Sequence, residues 1–546
     1  MNGDLPSELL LKIFIEVRNA CPAGWKKRPS CWALSHACRR WRMLALDSSV
    51  LWTQLPLESS KWVEACLSRS RDGSLEVKAD PIMPESHAER GSLRLLYHEL
   101  HRIESFEFVT KIDHKQWTEL VMEVFDGLHL HPAPRLRKLK ISILDGHDVT
   151  RGPISLSGMF KSQQLLALES AIFGNCNLTA RWSKTMFPST LRSLTLCQST
   201  AWKSSDEMVE FFQLVPNLQS LDLNVVPSGT HGFHASRSPK YSRRAASLPK
   251  LETFSLAIRF VEQVAALTYL SIPLTASLRV RAIAGDKELM KSDDAVLTGA
   301  IDQGTDAYRE HFATAVADGH GYTQLRASST GIEASSPYRG EAHQDGLPRA
   351  LQTLAPPDLG PLDLHFNHPR ASPHLLGRAY GMILEQPVFA TVRSLQVISG
   401  LPQEAWTCFE RYTAVEELEL SQSAGISALP GFVAAINRQT FPLFPALGTL
   451  RIVETAIVQP DELQPDFEGS GSNEHVHGEG RYGADARGFV DAMKILASYE
   501  HFERLVFSGC TMSSQTLQAV KGVLGDERVE GDVLSVEEVP GTGEDT

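Results

Sequence analysis

Leu191-Arg192-Ser193-Leu194-Thr195-Leu196 and, 27 residues later, Leu218-Gln219-Ser220-Leu221-Asp222-Leu223 share one spacing of apolar residues. The last two apolar positions of each copy stand two apart, so on a short strand they point the same way, into a core, while the residue between them points outward. Ahead of the second copy, residues 205–215 read as a capped amphipathic helix, and Pro216-Asn217 turns the chain out of it into the strand.

The spacing recurs at Leu136/Leu139/Ile141, Leu251/Phe254/Leu256, Val415/Leu418/Leu420 and Leu447/Leu450/Ile452. Looser copies lie at Ile103/Phe106/Phe108, Leu267/Leu270/Ile272, Leu359/Leu362/Leu364, Val392/Leu395/Val397 and Phe502/Leu505/Phe507, the last with Val506 as the alternative third position. Steps of 33 residues from 218 to 251 and from 359 to 392 suit a strand plus a helical or irregular return. The order of helix, proline and strand is seen again at 245–256 and 442–452. In these features the chain resembles leucine-rich-repeat proteins. The resemblance implies an irregular α/β solenoid over residues 61–525, whose outward strand residues form a concave binding surface. Lys138, Lys140, Asp222, Asn224, Glu417, Glu419 and Arg451 are the candidate substrate-binding residues on it, running from basic to mixed or acidic. A solvated strand face carries the same residue types, so a protein substrate of complementary charge stands beside that plainer reading.

The amino terminus is of another kind. Pro6 suits a first helical position and Glu8 the positive end of a helix dipole; Leu9, Leu10, Ile13, Phe14 and Val17 then make one wide apolar face. A second helical segment carries Trp32, Leu34, Ala37, Cys38, Trp41, Leu44 and Ala45 on its apolar side, leaving Arg39, Arg40 and Arg42 for solvent. With Leu51 and Trp52 this is more apolar surface than roughly fifty residues can bury alone. Something else must cover part of it.

Leu5-Pro6, Glu8-Leu9-Leu10, Ile13-Phe14, Cys38-Arg39-Arg40-Trp41-Arg42 and Leu51-Trp52 fall in the order of an F-box, and residues 1–60 resemble that family. The loop at 20–30 is longer than in the commonest F-boxes; similar insertions occur in F-box-like proteins of mushroom-forming fungi. The resemblance implies a fold class of α+β, a small helical F-box followed by the solenoid. It also implies that Leu5, Pro6, Leu9, Leu10, Ile13 and Phe14 contact or directly support a Skp-type adaptor, and through it a cullin. Cys38, Trp41 and Trp52 are then expected in the core of the module. The function implied is that of a substrate receptor of an SCF-type ubiquitin ligase, with an unknown protein substrate; a non-ligase interaction scaffold is the alternative.

The net charge, 53 basic against 65 acidic residues or −12, does not favour general nucleic-acid binding. No apolar stretch approaches a membrane span and Met1-Asn2-Gly3-Asp4 lacks the start of a secretory signal, so a cytosolic or nuclear location is expected. Lys26-Lys27-Arg28 is a weak nuclear-localisation pattern and reads better as a solvated loop. Eight cysteines without Cys-x-x-Cys spacing suit buried thiols rather than disulfides. No nucleophile elbow, phosphate loop or His-Glu-x-x-His occurs, and His365-x-x-His368 and His475-x-His477 have no second pair of ligands. No enzyme, cofactor or metal is expected. Residues 228–247 and 461–483 read as loops, the first basic and able to accept an acidic or phosphorylated segment, 286–357 as loop mixed with one or two repeats, and the acidic stretch 526–546 as a disordered tail.

Overall fold

The computed structural model describes residues 5–20, 30–57, 59–79, 87–112, 115–145, 154–156, 159–178, 186–199, 201–224, 233–281, 294–336, 359–365, 373–423, 426–438, 442–458 and 484–535. Helices and strands are mixed, as an α+β chain requires, and they fall into two compact units, Met1–Pro273 and Leu274–Thr546.

The first unit opens with three helices, α1 (Ser7–Ala20), α2 (Ser30–Ala37) and α3 (Arg39–Asp47), and a 3-10 turn, Ser49–Trp52. The single apolar segment expected at 32–45 is therefore two helices. The break falls at Cys38, whose extended backbone and Sγ, accepting from the Trp41 amide at 3.4 Å, start α3 afresh. Helix α4 (Ser60–Ser70) follows the short strand β1 (Gln54–Leu55). From β1 the chain builds a parallel sheet in sequence order through β2 (Leu75–Ala79), β3 (Ile103–Ile112), β4 (Lys138–Asp145), β5 (Ser170–Gly174), β6 (Ser193–Cys197), β7 (Ser220–Asn224) and β8 (Thr253–Ala257). Buried and solvent-facing residues alternate along these strands, so one sheet face is packed and the other carries polar side chains.

In the copies that begin at Leu136, Leu191, Leu218 and Leu251 the first apolar residue lies outside the strand. The amides of Leu136, Leu191, Leu218 and Leu251 each close a tight turn on the carbonyl three residues earlier. One carbonyl just ahead of each strand then takes two amides from the next entry: Arg192 O accepts from Gln219 and Ser220 at 2.7 and 2.9 Å, and Gln219 O from Glu252 and Thr253 at 2.7 and 3.1 Å. These bonds lock the register, and hence which side chains point outward.

The second unit repeats the device. Arg393 O accepts from Glu416 and Glu417, Glu416 O from Gly448 and Thr449, and Gly448 O from Glu503 and Arg504. Its strands are β9 (Ser277–Arg281), β10 (Gln324–Ser328), β11 (Gly331–Ser335), β12 (Leu362–His365), β13 (Ser394–Ile398), β14 (Glu417–Ser423), β15 (Thr449–Val453), β16 (Arg504–Met512) and β17 (Val529–Ser535). Sequence order is broken once: β9 pairs with β12, and β11 runs antiparallel between β12 and β10, after which β10, β13, β14, β15, β16 and β17 are parallel neighbours.

Several expectations need correction. Leu267 belongs to a helix, Phe260–Tyr269, and Leu270 to a two-residue strand outside the main sheet, because this helix with its apolar majority is buried almost all round. Within 286–357 the described residues, 294–336, form a helix, Asp294–Ala317, and the β10–β11 hairpin, where loop mixed with one or two repeats was expected. In the basic stretch 228–247, residues 233–247 are tied down: the Ser238 amide donates to the Tyr269 hydroxyl at 2.6 Å, and Lys240 pairs with Glu210 at 2.6 Å. The acidic tail loses residues 529–535 to β17, whose backbone pairs with β16 whatever its side chains carry. Residues 20–30 but for the helix ends, 461–483 and 536–546 lie outside the described residues, and so do Lys26, Lys27, Arg28, His368, His475 and His477.

On the polar face of the first sheet, Glu107 on β3 lies between Lys140 on β4, at 2.6 Å, and Lys78 on β2, at 3.5 Å. Burial works against ionisation of Glu107, but the hydrogen bond and charge of Lys140, then those of Lys78, outweigh it and hold the carboxyl below the usual carboxylate range. A carboxylate lowered in the folded state stabilises the fold above its unfolded pKa, and that contribution is lost as pH falls through the folded value. Chemical denaturation at pH 7 and pH 3 should therefore show a smaller acid loss for Glu107→Gln than for the parent, by up to about 1 kcal/mol because the lysines are partly solvated. Equal acid losses would show that the triad contributes nothing.

Candidate functional site

Two surfaces stand out. The first is on the N-terminal helices. Pro6 opens α1, its carbonyl accepting the Leu10 amide at 3.1 Å. One side of the helix is packed: Leu10 and Phe14 are buried, and Phe14 meets the half-buried Trp41 edge to face with ring centroids 5.0 Å apart. Along the other side Leu5, Leu9, Ile13 and Val17, spaced four apart, are 40%, 45%, 46% and 36% exposed. Met43 and Leu46 on α3 and Val50 are exposed as well.

Each exposed aliphatic side chain forgoes part of the roughly 1.5–3 kcal/mol that full burial would supply. Seven such residues lie among the described residues of the first 50, on a framework that is firmly tied. The ties are polar. Arg18 donates to the Val50 carbonyl at 2.6 Å and to Thr53 Oγ1 at 2.9 Å, Arg40 to the Leu5 carbonyl, and Arg42 to the Ser35 carbonyl at 2.8 Å. Trp52 is buried, donates from Nε1 to the Ala45 carbonyl at 2.7 Å, and lies under the Arg69 guanidinium 4.3 Å away. Of the residues read as core, Trp52 is in it, Trp41 is at its edge, and Cys38 is not: as the cap of α3 it is exposed. Leu10 and Phe14 are packed inward, while Leu5, Leu9 and Ile13 are exposed, with Pro6 exposed beside them.

The second surface is the polar face of the sheet in the second unit. It forms a groove of about 790 Å³ lined by Arg326, Glu333, Asp363, Gln396, Glu417, Glu419, Thr449, Arg451 and Arg504, among others. The structure thus brings Glu417, Glu419 and Arg451 together. It places Lys138, Lys140, Asp222 and Asn224 on the sheet of the first unit, where Lys140 is engaged by Glu107. Arg326 and Asp363 belong to strands of the inserted hairpin region, and Arg326 carried no six-residue pattern that would have revealed it.

Register orders the groove charges into rows. One row crosses the strands as Arg279, Asp363, Glu333, Arg326, Gln396, Glu419 and Arg451. Its members neutralise one another: Arg279 reaches Asp363 at 3.1 Å, Arg326 reaches Glu333 at 3.4 Å, and Glu419 accepts from Gln396 at 2.6 Å with Arg451 4.0 Å away. Glu333, Asp363 and His365 lie close enough to share a cation, their ligand atoms within 4.8 Å of one another. Asp363, however, is already shared by Arg279, Arg281 at 3.4 Å and His365 at 2.8 Å. Two guanidinium groups on the central carboxylate oppose a metal ion, and the cluster is an ion-pair network.

Four thiols, Cys176, Cys408 and Cys510 buried and Cys197 half-buried, are pushed towards the protonated form. Burial, with Glu385 nearby, pushes Cys408 up to about 11, and burial raises Cys176, Cys197 and Cys510. Among the described residues no helix is long and apolar enough to cross a membrane. No protein-family model matches the chain, and no curated protein matches it.

Proposed function

We propose that this chain is the substrate-receptor subunit of an SCF-type ubiquitin ligase, with an F-box-like head for a Skp-type adaptor and a leucine-rich-repeat-like solenoid for a protein substrate. The observation that carries the reading is the row Leu5, Leu9, Ile13 and Val17, which stays exposed on a helix that starts with Leu-Pro and is held rigid from behind by Leu10, Phe14 and Trp41. The repeated strand-entry turns of both units support the solenoid part. Rigidity matters here because a preorganised face binds without the entropic cost of ordering it. The receptor needs no catalytic side chain: holding substrate and adaptor on one chain raises the effective concentration of substrate lysines near the activated ubiquitin.

The test is co-purification of the full chain with a Skp-type adaptor and cullin. Leu9→Asp/Ile13→Asp places two charges in the face without disturbing its packed side, and should lower adaptor affinity at least 100-fold, about 1.4 kcal/mol per tenfold, with an unchanged melting curve. Recovery of the adaptor by the double variant at parental yield would sink the proposal. Loss of ubiquitylation of a bound substrate in the same variant separates a working receptor from an adaptor-bound scaffold.

A further inference from the structure

The second row of groove residues differs from the first. Ser335, Gln324, Ser394, Glu417, Thr449 and Arg504 are successive cross-strand neighbours from β11 to β16. Only Glu417 and Arg504 are charged. Both are exposed, and neither has an ion-pair partner among the described residues. They flank Thr449, whose Oγ1 accepts from Arg504 Nε at 3.1 Å and holds the guanidinium over the groove. Two strand spacings put their backbones roughly 10 Å apart. The neighbouring row is internally neutralised, so it adds walls and hydrogen-bonding groups but little net field.

We infer that this groove binds an extended polypeptide segment bearing one basic and one acidic side chain two residues apart, the basic one at Glu417 and the acidic one at Arg504. In an extended chain, residues i and i+2 point to the same side and lie about 7 Å apart, a span that two flexible counter-charges with backbones roughly 10 Å apart can meet. Thr449 lies between the two charges, and Ser394 and Gln324, beyond Glu417, offer donors and acceptors to the backbone of the segment that continues past the basic residue. A wholly basic or wholly acidic ligand would meet one favourable and one repulsive charge, so the groove selects for sign order rather than net charge. This names the class of substrate for the receptor reading and rests on it for the biological occupant.

The experiment uses the full chain and fluorescein-labelled Gly-Thr-Lys-Thr-Glu-Thr-Gly, with Lys-Thr-Lys and Glu-Thr-Glu counterparts, read by anisotropy at low and moderate salt. The mixed peptide should bind at least fivefold tighter than either counterpart, and the difference should shrink as salt rises. Glu417→Gln should weaken the mixed and Lys-Thr-Lys peptides about fivefold and leave Glu-Thr-Glu unchanged or tighter; Arg504→Gln should do the converse. Equal binding of the three peptides, binding of none, or indifference to both substitutions overturns the inference. Adaptor binding is measured on the same samples. If it persists while the peptides fail, the groove assignment alone is wrong; if it is absent in the parent, the receptor reading fails whatever the peptides do.

Discussion

Trp52→Ala is expected to lower the stability of the first unit by about 3–5 kcal/mol, the usual cost of removing a fully buried indole. Trp52 ends the 3-10 turn after α3, immediately ahead of β1, and the Thr53 carbonyl accepts the Glu76 amide at 2.9 Å where the sheet begins. Its ring is 1% exposed, is covered by Arg69 of α4, and caps the Ala45 carbonyl near the end of α3. One side chain therefore joins the amino-terminal helices to the start of the sheet. For a unit of this size the loss corresponds to a fall in melting temperature of roughly 6–20 °C. Trp52→Phe keeps most of the apolar surface but leaves the Ala45 carbonyl without its donor, so about 1–3 kcal/mol should go. Thermal melts monitored by near-UV circular dichroism decide the matter, and a Trp52→Ala chain as stable as the parent would show that the ring is not a structural tie.

Trp406→Ala should cost the second unit a similar ~3–5 kcal/mol. Trp406 lies on the helix Gln403–Cys408, is fully buried, and packs against Phe409 and Phe432 with centroids 5.5 and 6.0 Å away. The contrast with Trp52 lies in the polar atom: Trp406 Nε1 is buried with no hydrogen-bond partner among the described residues. Trp406→Phe therefore removes an unsatisfied donor along with some packing, and should cost less than the same change at Trp52. Close packing explains why the site accepts an unpaired donor: Gly431 passes so near that an added Cβ would stand 2.4 Å from Nε1. Urea denaturation of the alanine and phenylalanine variants at both tryptophans tests the pair. A larger loss for Trp406→Phe than for Trp52→Phe would contradict the account.

The strands were the most legible part of the chain. In ten of the eleven six-residue copies the apolar positions are buried and the last two lie on a main-sheet strand, since the pattern records both the turn-closing residue and the two inward strand positions. The copy at Leu267/Leu270/Ile272 failed because a mostly apolar helix buried almost all round yields the same spacing by composition. Strand β2, with Leu75, Val77 and Ala79 buried, and β5, with Ala171 and Phe173, were missed: Asp72 stands where the first apolar residue of a β2 copy would fall, and the small Ala171 at an inward position of β5 does not stand out from sequence. The β10–β11 hairpin was hidden for a different reason. Its pairing is set by β12 and β13, which are far along the chain.

The sequence by itself determined which residues enter strands and helices, because hydrophobic periodicity, prolines and caps are local properties. It also determined that the amino-terminal helices carry more apolar surface than they can bury. Only the tertiary structure decided which part of that surface stays open: Leu10 and Phe14 go inward and Leu9 and Ile13 outward through the packing of α1 on Trp41, a choice between adjacent positions on one helix face. It likewise decided which groove charges are spent on one another and which remain, since Glu419 and Glu417 are alike in sequence and differ only in the strand neighbours that register brings to them. Charge pairing across a sheet is a property of register between distant segments, and no local pattern encodes it.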